Sequence, residues 1–317
     1  MKTNVLRAFS QKPWAILPEK LAVLEEVVAR HAMGEKLDAE AVQAAIHGGK
    51  RPVARQVERV AVLPLFGTIF PRANLMTQIS GATSSEQFGK DFMALVDDPE
   101  IDAIVLDVDS PGGYVGGVQE LADIIYSARG KKPIVAVSNH TMASAAYWIG
   151  TAADEVAVSP SGEVGSIGVF AVHQDVSKAL EMDGVKMTII SQGKYKVEGN
   201  PYQPLDETAM SSIQTSVDES YASFVAAVAR QRGVSIEDVR GGFGEGRMVS
   251  AQRAVALGMA DRVETLDAVV ARLLGSKKPS ESFAGSASSD AGKAELERET
   301  QSLRQKVTLI LQGENDA

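Results

Sequence analysis

The sequence predicts an α/β protein whose parallel strands are joined by helices, and three observations carry that expectation. Apolar runs rich in β-branched residues alternate with amphipathic stretches of about a dozen residues. Two of the strands run into small-residue junctions, Asp109-Ser110-Pro111-Gly112-Gly113 and Ala143-Ser144-Ala145-Ala146. The 317 residues are 44% hydrophobic and 23% charged, ordinary values for a globular chain long enough to bury a large core.

Composition also excludes several chemistries. Cysteine is absent, so disulfides, thiolate nucleophiles and cysteine-ligated metal centres are ruled out. The net charge of −9 gives no global attraction to nucleic acid or an anionic membrane. Lys12, Pro13, Pro18, Glu19 and Lys20 interrupt the N-terminal apolar residues, and no run approaches the roughly 20 needed to cross a bilayer. A cytosolic protein with no membrane anchor is expected.

In chain order, residues 1–50 read as a lightly packed helical extension, with Leu21, Leu24, Val27 and Val28 at helical spacing and a continuation over Asp38–Ile46. Gly48-Gly49-Lys50-Arg51-Pro52 is a linker signal. Residues 51–275 form the expected main domain. It opens with a strand at Val57–Leu65, followed by an aperiodic stretch, Phe66–Ser85, predicted as a surface loop whose Met76 and Ile79 are candidates to line a groove. Ser84 and Ser85 cap a helix over Glu86–Val96. The strand Ile101–Val108, the helix Gly117–Ala128 and the strand Pro133–Val137 come next, and a helix starts near Ser144. Short strands are expected at Glu155–Val158 and Ser166–Val172, a helix at Val176–Met182 and a strand at Lys186–Ser191. A long helix covers Asp206–Arg232. A glycine-rich turn over 241–246, a helix at Ser250–Leu257, a strand near Ala260–Val263 and a helix at Leu266–Leu274 complete the domain. From 276 to 317 the composition becomes that of a flexible linker followed by a short amphipathic helix.

The chemistry-bearing residues gather at the two junctions. Gly112 and Gly113 free the backbone to aim amides at a developing oxyanion, although a glycine pair also suits any tight turn. Ser144 would stand at the positive end of a helix dipole, while, taken alone, a small packing residue at a helix start is the more ordinary reading. Neighbouring strand ends lie only about 4.8 Å apart, so the two junctions can face each other, with the Ala145 amide between them. Three groups compete as the base. His140 lies four residues upstream of Ser144 in a stretch read as loop. His173, with Asp175 two residues on, would make a Ser-His-Asp set. Lys196, in the glycine-bounded stretch GKYKVEGNP, would serve if desolvation stripped its proton, and Lys194 reads as a solvated charge. No metal-ligand spacing, phosphate loop or dinucleotide fingerprint is present, so no cofactor is expected.

Taken together, DVDSPGG, the Ala143-Ser144-Ala145 run with its following aromatics, GSIGV at 165–169 and GKYKVEGNPYQP resemble the signal peptide peptidase A family of serine–lysine peptidases. The resemblance spans roughly Val57–Leu274 and is greatest to the phage head-maturation branch. It implies a Clp-protease/crotonase-like fold of repeated ββα and βαβ units, Ser144 as nucleophile, Lys196 as general base, and Gly112, Gly113 and Ala145 as the oxyanion hole. Many relatives carry glycine where this chain has Ala145, which keeps the amide. The implied activity is endopeptidase cleavage of scaffold, capsid or portal proteins, with substrate added as a strand beside the SPGG edge. The alternatives are a housekeeping peptidase and a non-catalytic, acyl-CoA-binding or capsid-structural relative. Longer members join two such domains in one chain and share the dyad between them, which implies a ring-like homo-oligomer here.

Overall fold

Three consecutive apolar runs build the centre of the molecule. The computed structural model describes residues 12–32, 53–72 and 82–275. In order these form β1 (Trp14–Ile16), α1 (Pro18–Ala32), β2 (Arg55–Val57), β3 (Val60–Phe66), β4 (Ile69–Phe70), β5 (Thr83–Ser84), α2 (Ser85–Asp97), β6 (Ala103–Ser110), β7 (Gly112–Tyr114) and α3 (Val118–Ser127). There follow β8 (Ile134–Ala143), α4 (Ala145–Gly150), β9 (Glu155–Val158), β10 (Glu163–Gly165), α5 (Ser177–Met182), α6 (Glu207–Arg232), α7 (Ile236–Gly242), β11 (Met248–Ser250), α8 (Ala251–Ala256), β12 (Arg262–Val263) and α9 (Leu266–Gly275).

The main sheet has the order β11-β10-β8-β6-β3-β2, with β9 beside β8 and β12 beside β9. β3, β6 and β8 are parallel, paired from Val60↔Ala103 to Phe66↔Asp109 and from Ile104↔Ile134 to Val108↔Ser138. Both faces are covered, so these strands read as continuous apolar runs. Period-two alternation divides them: Ala61, Leu63, Leu65, Ile104 and Leu106 enter the larger core under α2, α3, α4 and α6. Val60, Val62, Ala103, Val105 and Val135 turn to the opposite face, against Leu266, Val269 and Val270 of α9. β2 turns back on β3 as a hairpin, from Val57↔Val60 to Arg55↔Val62, and Pro64 stands in β3 just beyond that pairing.

A second, small sheet of order β1-β7-β4-β5 lies over the ends of the parallel strands. Its β1 overturns the expectation of a lightly packed extension: Trp14, Ala15, Ile16, Leu21 and Leu24 are all buried. Aperiodic composition also concealed β4 and β5 within the predicted loop. Met76, Ile79, the Asp38–Ile46 helix, the 48–52 linker and the whole tail from 276 lie outside the described residues.

Other expectations shift for physical reasons. β8 extends six residues past the predicted end, because the chain runs on through polar Ser138–His140 to pair Thr141–Ala143 with β10. Residues 166–172 form no strand beyond a single bridge between Phe170 and Trp14. Lys186–Ser191 forms none either; Ile190 is 96% exposed, and β propensity without a partner strand gives no strand. α7 and β11 flank the glycine-rich turn and are not among the expected elements, although Ser235 and Asp238 form a reciprocal capping box at the start of α7. Among the described residues no helix is long and apolar enough to cross a membrane.

Candidate active site

β6 and β8 run side by side, and their junctions meet. β8 ends at Ala143 and α4 starts at Ala145, so Ser144 must reverse the chain alone. It does so at φ 55°, ψ −118°, a left-handed conformation that costs a non-glycine residue about 1–3 kcal/mol. The surroundings hold it there. The Ser144 amide donates to the Gly165 carbonyl at 2.7 Å, and its carbonyl accepts from the Trp148 amide at 3.0 Å. Ala143, Ala145 and Ala146 are wholly buried, and only side chains this small let the turn sit so close to the sheet.

The helix behind the serine is anchored on all sides. The Tyr147 hydroxyl donates to the Met259 carbonyl at 2.8 Å, and burial pushes its pKa upward. Trp148 stacks on Phe224 with ring centroids 4.8 Å apart. Arg129 donates to the carbonyls of Ala152, Thr151 and Ala153 at 2.9, 2.7 and 2.6 Å, satisfying backbone acceptors just past the end of α4.

Strain at Ser144 makes a stability prediction. Ser144→Gly removes the side chain that the left-handed backbone penalises and should raise the unfolding midpoint by about 2–4 °C, while eliminating any chemistry of the hydroxyl. Thermal unfolding of this variant beside Ser144→Ala checks it, since alanine keeps the strain.

Gly112 brings the second junction in. A Cβ built on it would lie 3.0 Å from Ser144 Cβ and 3.1 Å from the Ala143 carbonyl oxygen, and its φ is +97°. Ser144, Gly112 and Ala145 therefore share one small volume. The Ala145 amide leads α4, where N–H groups have no acceptor within the helix. The Gly112 amide donates to Ser110 Oγ at 3.2 Å, and the Ser110 hydroxyl in turn donates to the Gly67 carbonyl at 2.6 Å. Gly113 pairs with Ala15 in the β1–β7 ladder. The ladder bonds on either side, Leu17 amide to Pro111 carbonyl and Val115 amide to Pro13 carbonyl, make Ala15 and Gly113 the hydrogen-bonded pair between them. The Gly113 amide thus faces an added strand rather than the serine.

None of the candidate bases is hydrogen-bonded to Ser144 within one chain. Ser144 is fully buried, and its hydroxyl donates to the Gly168 carbonyl over 3.4 Å. Lys196 is exposed in a series of turns and makes no hydrogen bond to Ser144. Lys194 lies over the Tyr195 ring, 4.8 Å from its centroid. His173 Nε2 is 3.2 Å from the Asn200 carbonyl oxygen, and the Asp175 carboxylate accepts from the Ser177 amide, so no Ser-His-Asp set forms. His140 proves to lie in β8 rather than a loop, 73% exposed, with Nδ1 3.7 Å from the Asp109 carboxylate. Burial raises the pKa of Asp109, against the opposing pull of His140, and burial likewise raises Asp107. Sequence reasoning overlooked Ser110 and the segment Trp14–Ile16. Nothing in a short apolar tripeptide marks it as the neighbour of residues a hundred positions away. Among the described residues no group of three or more His, Asp or Glu side chains is placed to hold a metal ion.

Comparison with known proteins adds independent information. Residues 127–278 match the model of peptidase family S49. The chain is 33% identical to the capsid assembly protease C of Escherichia phage lambda over 248 residues, 75% of this chain and 56% of that protein. It is 34% identical to the head-tail preconnector protein GP5 of Enterobacteria phage P21, covering 68% of this chain and 43% of that one. The chain therefore spans about half the length of these two relatives. A Synechocystis protein provisionally named a protease is 30% identical over 59% of this chain and 68% of its own length. Solved structures that align with it include a Listeria monocytogenes ClpP1 variant (TM-score 0.40, 16% identity, 66% of this chain and 94% of that one). A Polaromonas enoyl-CoA hydratase also aligns (TM-score 0.40, 15% identity, 70% and 75%).

Proposed function

The chain belongs to peptidase family S49, and from that premise we propose that it is a serine endopeptidase acting on proteins of phage head assembly, with Ser144 as nucleophile and Lys196 as general base. The observation that carries the reading is the contact between the two junctions: a strained Ser144 at the start of α4, against Gly112. Its hydroxyl would attack a peptide carbonyl, and the carbonyl oxygen would turn to the amides of Gly112 and Ala145. For that the Gly112 amide must exchange Ser110 Oγ, a long 3.2 Å acceptor, for the stronger charged one. Gly113 would contribute by pairing with the backbone of the incoming strand. The base would take the serine proton and return it to the leaving amine, leaving an acyl-enzyme that water then hydrolyses.

Exposure of Lys196 and the absence of a hydrogen bond between it and Ser144 favour a dyad completed between subunits. The exposed apolar side chains Met182, Met187, Ile189 and Ile190, which precede it, support contact with a second copy in a ring. The names of the two phage relatives, a capsid assembly protease and a head-tail preconnector protein, support substrates of the scaffold, capsid or portal class and a working location in the host cytoplasm or procapsid. The proposed domain limits are 51–275 for the peptidase and 276–317 for the tail, with 1–50 as an N-terminal extension whose β1 joins the small sheet of the peptidase.

A serine-reactive fluorophosphonate tests the proposal. Labelling should map to Ser144 and vanish in Ser144→Ala, with unchanged circular dichroism. A wild-type chain that is folded and assembled yet takes no label at Ser144 would instead support a non-catalytic role.

A further inference from the structure

Ser144 is wholly buried in a chain that must admit polypeptide to it, and the cover is identifiable. β1 runs antiparallel to β7, with Trp14, Ala15 and Ile16 opposite Tyr114, Gly113 and Gly112. On its other side the Trp14 amide donates to the Phe170 carbonyl at 2.8 Å, and the Phe170 amide donates back at 3.0 Å. A three-residue strand is thus wedged between the two walls that flank the serine. The Ala15 carbonyl oxygen would stand 2.2 Å from a Cβ on Gly112, and that same Cβ would stand 3.0 Å from Ser144 Cβ. Trp14 fills a pocket edge-on to Phe70 and Tyr114, with centroids 6.1 and 5.7 Å away.

These are the bonds that an extended substrate forms when it adds to a sheet edge: ladder hydrogen bonds for the backbone and pockets for alternate side chains. The occupant is also built to leave. Trp14, Ile16, Leu21, Leu24 and Val27 pack in an apolar cluster of their own with Phe70 and Ala82, separate from the two cores of the main sheet. Only Ala15 reaches the larger core. Releasing β1 and α1 opens a satellite cluster and leaves the parallel sheet packed.

We propose that Trp14–Ile16 is an internal plug of the peptide cleft, holding the place of substrate, and that polypeptide reaches Ser144 only when β1 swings off. The inference rests on the peptidase reading above. It also states what the cleft accepts: an extended apolar segment with a small residue flanked by large ones.

The test uses the full chain carrying Trp14→Ala together with Ala15→Glu, which empties the aromatic pocket and puts a charge into the core. Fluorophosphonate labelling of Ser144 and cleavage of unfolded casein should each rise at least about tenfold over the parental chain. A synthetic peptide of residues 12–19 should return the labelling toward the parental rate. A folded variant that labels no faster than a parental chain already labelled at Ser144 overturns the plug and leaves the peptidase standing. A faster variant indifferent to the peptide also overturns it. If neither chain labels or cleaves, both readings fall. Should the variant not fold, amide exchange in the unsubstituted chain decides. The Trp14 and Leu17 amides should exchange at least about 100-fold faster than Leu106 in β6, through local opening, and equal protection overturns the proposal.

Discussion

Mixing two inactive proteins, Ser144→Ala and Lys196→Ala, is expected to restore peptide cleavage. Each alone should fall by at least about a thousandfold, because one lacks the nucleophile and the other the group that activates it. If every site takes its serine from one subunit and its lysine from the next, random mixing in equal amounts leaves about a quarter of the sites with both residues intact. Recovery should follow the subunit exchange rate and depend on protein concentration. Within one chain Lys196 is exposed and Ser144 is bonded to Gly168, which is the arrangement that motivates the experiment. No recovery, despite exchange proven by mass-tagged subunits, would place both residues of the dyad in the same chain.

The second large effect belongs to Gly112→Ala. Its new methyl would lie 2.2 Å from the Ala15 carbonyl oxygen and 3.0 Å from Ser144 Cβ, at a backbone φ of +97°. None of these neighbours is the free end of a flexible side chain. The backbone must move, and it carries the amide proposed to bind the oxyanion. A loss of about a hundredfold or more in kcat/KM on unfolded casein is expected, with a lower unfolding midpoint. Gly89→Ala is the matched control. Gly89 lies inside α2, where an added Cβ would meet Leu121 and Ile124 at ordinary distances of 3.5 and 3.6 Å. That substitution should leave cleavage unchanged and raise stability by about 0.5–1 kcal/mol.

What the sequence made legible was local or periodic. Apolar strands buried on both faces announce themselves as continuous runs, and Ser84 caps α2 through the Gln87 amide as its position suggests. The two junctions were legible as well, but only as a pair, since either run of small residues alone also suits an ordinary tight turn or helix start. What escaped depends on partners distant in the chain. Trp14–Ile16 becomes a strand only because Gly112–Tyr114 and Phe170 supply both its walls. The 186–191 segment has the composition of a strand and nothing to pair with among the described residues. Polar Ser138–His140 reads as a loop, yet it continues β8 with a register shift against β6, between the Val108↔Ser138 and Ser110↔Met142 pairs. As for the base, among the described residues no histidine or lysine hydrogen-bonds to Ser144 within one chain, so sequence spacing alone had no means of choosing.

Pro64 bears on how copies of this chain can meet. In the β2–β3 hairpin Val57 pairs with Val60 across a two-residue turn, so Val60, Val62 and then position 64 direct their backbone polar groups away from β6. β2 reaches only as far as Val62, and position 64 would be the next to offer an N–H along that margin. Proline has none to offer. A foreign strand laid along this side would find its hydrogen-bond ladder broken at the first free rung, which guards the margin against runaway stacking of one sheet onto the next. The ring proposed above would be favoured by such a margin, since a chain able to extend its sheet indefinitely forms fibres instead.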